Sequence, residues 1–579
     1  MLKIENLSYS FPKKDLYNKI SFTLEKDQHC AFIGASGSGK STLIDIIMDP
    51  ENYMYDGLLD IDPNCRIGYV SQFSQLDKSQ PITVFEYIGK DFIRLQEEIA
   101  SICSELESSS DTEALLEKYQ IAYDAYEALG GDDYESKIQK KLNLANLLKQ
   151  RDLLVSDLSG GEFKLIQVIK EMLHQPHLMI MDEPDVFLDF ENLNALKKLI
   201  NAHKGMVLIV THNRYLLNHC FNKIIHLENM ELQEFDGRYM DYNFSLLQTK
   251  IELQELSIAD DLEIERNDQL IEKLRGIASV DFEAARGKSL YARLKIQERL
   301  EARRIKAPFV EIKQPELKFS SATILENITI LKINDYFVSF DELLLEKVCF
   351  DINSTEKVAI IGGNGTGKTT LVRKIFNNSH DAIETSEDTR LAYLSQLQGE
   401  NLDENNSIYD EFFDAGFKSY NDIEAYLSGY GFDEESLQQK IEVLSGGEKN
   451  ILQLAKISSK PTNFLLLDEP TSHLDTYAQI ALEKAIQNYP GAILMISHDF
   501  YSIINCMDYV LIIEDKTIRK MRMKKFKRMI YAAHFDRNYL EIEQKKQLVE
   551  INIGMALKES NFELAKSLSV ELEELISQL

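Results

Sequence analysis

HCAFIGASGSGKSTLIDIIM, residues 29–48, joins a short apolar run to a glycine-rich loop and then to a helical run. Within it GASGSGKS (34–41) fits G-x-x-x-x-G-K-[ST]. Glycines at Gly34, Gly37 and Gly39 let successive backbone N–H groups turn toward one point. The helix opening at Lys40 adds its positive dipole end. Together they make a cradle for phosphate. Lys40 is placed to reach the β- and γ-phosphates of a nucleotide, and the Ser41 hydroxyl to ligate Mg²⁺. Ala35, Ser36, Ser38 and Thr42 complete the cradle.

The stretch has a counterpart. GGNGTGKT (362–369) stands 328 residues later, with Gly362, Gly363, Asn364, Gly365, Thr366, Gly367, Lys368 and Thr369, followed by Thr370. VSQ ending at Gln72 returns as LSQ ending at Gln396, an offset of 324. LSGGE (158–162), MIMDEP (179–184) and Thr211–His212 return as LSGGE (444–448), LLLDEP (465–470) and Ser497–His498, each at an offset of 286. The chain is therefore a duplication. The 38 extra residues of the first half lie near 95–132 and read as a helical hairpin, with Ser110 and Glu113 in a capping-box pattern.

LMIMD and MVLIV are short continuous apolar runs, the mark of parallel strands buried on both faces. Strands alternating with helices predict a doubly wound α/β core in each half, with chemistry at the carboxyl ends of the strands. Every motif above falls at such an end. A strand delivers Asp182 where it can hold Mg²⁺, and Glu183 follows it, placed to polarise an attacking water; Asp468 and Glu469 repeat the pair. Ser159 and Ser445 occupy N-cap positions of helices that open with Gly160–Gly161 and Gly446–Gly447, a second anion-binding pattern.

Phosphate loop, Gln, LSGGE, DEP and a following His, in that order, resemble the ATP-binding cassette ATPases. The resemblance implies two cassettes in a head-to-tail sandwich within one monomeric chain. Each ATP then lies between the phosphate loop of one half and the LSGGE of the other. One site would use Lys40, Ser41, Gln72, Asp182, Glu183 and His212, closed by Ser445 and Gly447. The other would use Lys368, Thr369, Gln396, Asp468, Glu469 and His498, closed by Ser159 and Gly161. The resemblance makes Glu183, Glu469, His212 and His498 the catalytic groups. It makes Ser41, Gln72, Asp182, Thr369, Gln396 and Asp468 the Mg²⁺ ligands. Phe11 and Phe340 fall where the family stacks a ring on adenine, with Tyr9, Tyr17 and Phe337 as near neighbours. One departure is visible: after DEP the second half reads TSHLD (471–475) and the first DVFLD (185–189), so Phe187 stands where His473 stands. The two sites are then expected to be unequal.

The organisation predicted is a first cassette at 1–237, an α-helical linker at 238–323, a second cassette at 324–515, and a basic segment with a helical C-terminal extension at 516–579. The linker has almost no Pro or Gly before Pro308 and reads as a hairpin with its turn at RGIASVDFEAARG (275–287). Arg286–Lys306 carries eight basic residues and two acidic ones, in a chain of net charge −30. That total opposes general coating of nucleic acid, so any such binding must come from local clusters. KTIRKMRMKKFKRM (516–529) is a second cluster, with eight basic residues and no acid. The following tail reads as packed helices, with Leu557, Leu564, Leu568, Leu572 and Leu575.

A composition of 44% hydrophobic and 27% charged residues is that of a globular protein, and no apolar run approaches the roughly 18 residues of a membrane span. The six cysteines form no CxxC-type pair, and the first residues lack the apolar core of a signal peptide, so a cytoplasmic location is expected. Two cassettes with a charged helical pair between them, led in by GRYMDYNFSLLQTK (237–250), resemble the ABC-F class. That class implies a soluble ATPase that binds the ribosome near the tRNA exit site. Its partners would be 23S rRNA and the P-site tRNA region of the large subunit, without a membrane, and its role translation or protection from ribosome-targeting antibiotics. The alternative is the twin-cassette ATPase subunit of a membrane transporter.

Overall fold

The computed structural model describes residues 1–11, 14–72, 81–108, 112–186, 188–255, 266, 270, 295, 315–322, 328–339, 343–534 and 539–579. They form two compact units: Met1–Arg238 with Gln314–Lys527, and Tyr239–Lys313 with Arg528–Leu579.

The first unit holds both cassettes, and each is built on a six-stranded sheet. In the first cassette the order is Ile67–Val70, Leu178–Asp182, Met206–Val210, His29–Gly34, Lys223–Glu228, Glu231–Asp236. The first five strands run parallel and the last is antiparallel. The second cassette repeats the order with Leu391–Leu394, Phe464–Asp468, Ala492–Ile496, Lys357–Ile361, Tyr509–Glu514 and Thr517–Arg522. Every residue of Leu178–Asp182, Met206–Val210, Phe464–Asp468 and Ala492–Ile496 is buried, which is why these strands read as unbroken apolar runs. A three-stranded antiparallel sheet accompanies each: Lys14–Leu24, Leu2–Phe11 and Asp56–Ile61, and then Leu343–Asn353, Thr329–Ser339 and Ile383–Thr385. Register brings the strand ends level. Asp182 pairs with Val210 and Gly34 with Leu227; Asp468 pairs with Ile496.

The insertion is a pair of packed helices, Val84–Ser108 and Thr112–Ala128, holding a small core of Ile102, Leu115 and Ala122. The first helix starts before the expected 95, because Val84, Ile88, Phe92 and Leu95 already form a buried helical face. Ser110 lies outside the described residues.

The boundary expected at 515 falls inside a hairpin. Thr517–Arg522 is the edge strand of the second six-stranded sheet, paired with Tyr509–Glu514. Arg519 and Arg522 are exposed, as suits an edge, while Met521 is buried and Lys520 is ion-paired with Glu356 at 2.8 Å. The helix Met523–His534 follows directly, seated by Met523 and Phe526. On the linker's exit side, Ser321 bridges to Thr462 and the Phe319 ring meets Tyr489, so residues 315–322 run along the second cassette.

The second unit is helical. Residues 239–255 form a helix whose Met240, Phe244, Leu247 and Ile251 recur at helical spacing. They pack with Val549, Ile553, Ala556, Ala565, Leu572 and Ile576 of a hairpin made by Tyr539–Lys558 and Phe562–Ser577. Asn561 caps the last helix through its side chain. Glu255 and Lys566 are ion-paired at 2.5 Å. Of the expected leucines, Leu557, Leu568, Leu572 and Leu575 join this core and Leu564 is exposed. Most of the predicted linker hairpin, its 275–287 turn and Arg286–Lys306 apart from Lys295, lies outside the described residues.

Candidate functional site

Each phosphate loop turns on left-handed glycines. Gly37 and Gly39 have φ 74° and 101°, and Gly365 and Gly367 have φ 77° and 91°. Gly39 and Gly367 are the N-caps of Lys40–Met48 and Lys368–Phe376, so each loop ends at a helix N-terminus. Lys40 Nζ donates to the carbonyls of Gly34 and Ala35 at 3.0 and 2.8 Å. Lys368 Nζ does the same to Gly362 and Gly363 at 2.8 and 2.7 Å. Burial pulls both ammonium groups below their ordinary pKa, against the pull of Glu183 on Lys40 and of Glu469 on Lys368.

Asp182 and Asp468 end buried strands, and burial raises both to about 6; the neighbouring Ser41 and Thr369 hydroxyls oppose that rise. Asp182 Oδ1 and both carboxylate oxygens of Asp468 are buried and accept no hydrogen bond among the described residues. Glu183 and Glu469 follow with φ 44° and 50°, a left-handed conformation that a glutamate seldom takes and that marks a functional turn. His212 is buried and His498 half-buried, and desolvation lowers each to about 4, so both imidazoles are neutral near pH 7.

The cassettes meet head to tail. Ser36 Oγ lies 3.2 Å from Ser445 Oγ, and the Ser36 N–H donates to Asp475 Oδ2 at 3.3 Å. A Cβ on Gly447 would stand 2.6 Å from both Ser36 Oγ and the His473 carbonyl, so only glycine fits there. On the other side a Cβ on Gly161 would come within 3.3 Å of Asn364 Nδ2. Ser159 and Ser445 form complete capping boxes with Glu162 and Glu448.

Two cavities result. One of about 850 Å³ brings together Phe11, Ser36, Gly37, Gly39, Lys40, Ser41, Thr42, Gln72 and Glu183 with Ser445, Gly446 and Gly447. The other, of about 440 Å³, brings Asn364, Gly365, Gly367, Lys368, Thr369, Thr370, Asp468, Glu469 and His498 together with Gly160 and Gly161. Ser159, Gly363 and Asn364 line an adjoining crevice. Gln396 and Glu183 border both cavities, and His212 borders the smaller one. Phe11 is 46% exposed and lines the larger cavity, whereas Tyr17 is buried and donates its hydroxyl to the Gly39 carbonyl. Phe340 and Phe187 lie outside the described residues.

The two glutamates sit in different surroundings. Gln72 Nε2 donates to Glu183 Oε2 at 2.6 Å, and His473 Nδ1 of the second cassette lies 3.4 Å from the same oxygen. Burial works to raise Glu183, but His473, His212 and Lys40 overcome it and hold the carboxyl at about 2. Glu469 is raised by burial to about 7; the groups acting on it, His498, Lys368 and Asp499, belong to its own cassette. His498 Nε2 is 3.5 Å from Glu469 Oε1.

Sequence reasoning missed several of these contacts. Lys164, on the first LSGGE helix, donates to the carbonyls of Ser71 and Gln72 and so ties that helix to the glutamine loop. Its counterpart at the 286 offset is Asn450, which instead donates to Pro470 and Ser472. The break in the repeat at this pair was the available signal.

Residues 17–186 and 345–472 match the family model described as ABC transporter. The chain belongs to the ATP-binding cassette family. It is 30% identical over 521 residues to the uncharacterized ABC transporter ATP-binding protein YfmM of Bacillus subtilis (strain 168), covering 86% of this chain and 96% of YfmM. It is 26% identical over 490 residues to the energy-dependent translational throttle protein EttA of Mycobacterium tuberculosis (strain ATCC 25618 / H37Rv), covering 83% and 85%. Its fold is like that of the archaeal ribosome recycling factor aABCE1, solved with the ribosomal stalk protein aP1: TM-score 0.53, 17% identity, 91% of this chain and 92% of that one. This is an ABC-F-like twin ATP-binding-cassette ATPase. Among the described residues no helix is long and apolar enough to cross a membrane.

Proposed function

We propose that the chain is a Mg²⁺-dependent, ribosome-binding ATPase that uses ATP-driven closure of its cassettes to act on translation. The observation that carries the catalytic part is the closure itself, in which each phosphate loop faces the LSGGE serine-glycine turn of the other cassette.

The donor set suits Mg²⁺. The unsatisfied oxygens of Asp182 and Asp468 are hard ligands beside the hydroxyls of Ser41 and Thr369, with the Gln72 and Gln396 amides at the cavities. No group of three His, Cys, Asp or Glu side chains gathers among the described residues. That fits a cation that keeps phosphate and water oxygens as ligands. When bound, Mg²⁺ neutralises charge on the β- and γ-phosphate oxygens.

The protein's own groups do the rest. Lys40 and Lys368 leave their loop carbonyls for phosphate oxygens. Neutral His212 and His498 donate to the γ-phosphate; His212 Nδ1 is buried with no other partner among the described residues. Glu183 and Glu469 take a proton from the water that attacks γ-phosphorus, as the bond to ADP breaks. Phe11 offers its exposed ring to adenine.

The ribosome as partner is supported by likeness to EttA, named a translational throttle, over 83% of the chain. Within the linker, the eight basic against two acidic residues of Arg286–Lys306 fit 23S rRNA and the P-site tRNA region. The test is sedimentation of the Glu183→Gln/Glu469→Gln protein with ATP. Co-sedimentation with ribosomes, lost with rising salt and weakened by Arg293→Glu/Arg299→Glu/Arg303→Glu, supports the reading. Partition into membranes supports the transporter alternative and overturns it.

A further inference from the structure

We propose that His473, from the second cassette, is a positioning residue for the first site: it reaches across the interface and orients Glu183. The inference rests on the reading of Glu183 as the base of that site.

Three features fix the imidazole before any substrate arrives. First, His473 has φ 60°, which turns the loop sharply after Ser472. Second, Asn450 Nδ2 donates to the Pro470 and Ser472 carbonyls at 3.2 and 2.7 Å, so the preceding turn is held by the helix that follows LSGGE. Third, the His473 carbonyl lies against Gly447, which itself closes on Ser36 of the opposite phosphate loop. Two residues on, Asp475 caps its own helix through Oδ1, accepting from Ala478 N at 2.8 Å, and uses Oδ2 to accept from Ser36 N at 3.3 Å. The loop is thus pinned to its own cassette and to the other on either side of the imidazole.

His473 Nδ1 lies 3.4 Å from Glu183 Oε2, close enough to direct its N–H at the same oxygen that accepts from Gln72 Nε2. Two donors on one oxygen fix the carboxylate plane and leave Oε1 to take the proton of the attacking water. A carboxylate free to rotate would lose that alignment, and misplacement by about 1 Å costs on the order of 10²-fold in rate. Because one donor belongs to each cassette, the base is complete only while the two are closed. The arrangement has one direction. Phe187 occupies the equivalent sequence position in the first cassette, and a phenyl ring has no N–H to offer Glu469.

The experiment measures steady-state ATP hydrolysis by the full chain with one site silenced at a time. With Glu469→Gln present, His473→Gly should lower kcat about 10- to 100-fold and leave KM for ATP within about twofold. Glycine is chosen because it accepts the positive φ. His473→Asn should recover most of the loss, since asparagine also tolerates that φ and its amide N–H can stand in for Nδ1–H. With Glu183→Gln present instead, the loss on His473→Gly should be at least tenfold smaller. Equal losses in the two backgrounds, a loss confined to KM, or no recovery with asparagine would overturn the proposal. The underlying reading fails separately: then Glu183→Gln added to Glu469→Gln would leave turnover unchanged.

Discussion

Arg214 Nη2 of the first cassette lies 3.0 Å from Asp499 Oδ2 of the second, and the same guanidinium is ion-paired with Glu483. Burial pulls the guanidinium pKa down, but Asp499 and Glu483 outweigh it and raise it. The Ser502 hydroxyl completes the cluster, 2.9 Å from Glu483 Oε1 and 2.7 Å from Asp499 Oδ2. At the 286 offset Arg214 corresponds to Phe500, so the clamp is made once and not twice. Removing one member of a buried pair leaves the others uncompensated, at about 3–5 kcal/mol. Arg214→Ala should therefore lower the thermal midpoint of the cassette unit sharply. In a double-mutant cycle with Glu483→Ala the two losses should be strongly non-additive, measured by denaturant unfolding.

Loss of both bases should separate binding from turnover. Glu183→Gln/Glu469→Gln should slow ATP hydrolysis by about 10²–10⁴-fold, the usual size of general-base help. Nucleotide binding, followed by fluorescent-ATP titration, should remain within a few-fold of the parent. Retained turnover would remove both glutamates from the reaction.

The helical unit depends on a core drawn from two distant segments. Ile553, on the first helix of the C-terminal hairpin, is fully buried in the core it shares with the 239–255 helix. Ile553→Ala should destabilise this unit by about 2–5 kcal/mol. Hydrogen exchange at 239–251 should speed up, while the strands Leu178–Asp182 and Phe464–Asp468 keep their protection.

Acid sensitivity should trace in part to His203. Burial, then the neighbouring His29 and Lys141, push its pKa from the ordinary 6.5 to about 4. The unfolded chain takes up a proton below about 6.5 that the folded chain refuses until about 4. The histidine's contribution to stability is therefore whole above 6.5 and is lost as pH falls through that window. The ring is only partly buried, so the effect stays below the ceiling of about 1.4 kcal/mol per pH unit. Between pH 7.5 and 5, His203→Asn should lose less of its thermal midpoint than the parent does.

The sheet and its motifs were legible because their physics is local. A strand covered on both faces must be apolar throughout, as in LMIMD and MVLIV, and a phosphate cradle must have glycines where φ is positive. The edge strand Thr517–Arg522 was illegible for the converse reason. One side of it faces solvent, so Arg519 and Arg522, next to Lys516 of the preceding turn, gave it the look of a charged cluster outside the cassette. The contacts of Arg214 with Glu483 and of His473 with Glu183 join residues more than 200 positions apart. No periodicity or spacing encodes such a pairing. What the sequence offered was departures from the repeat: Phe187 against His473, Lys164 against Asn450 and Arg214 against Phe500 mark the halves as not equivalent.

The helical unit also sets an order of events during synthesis. Its first helix, 239–255, emerges before any of the second cassette, yet its buried partners Val549, Ile553 and Leu572 are added only after that cassette is finished. Met240, Phe244, Leu247 and Ile251 must therefore wait, exposed or held by a chaperone, while an entire α/β domain is translated and folds. The growing chain makes its first cassette early and alone, but the base of the linker acquires a core only at the end. A truncated or stalled chain would carry a folded first cassette and an apolar helix with nothing to bury it, a form that quality control can distinguish from the completed protein.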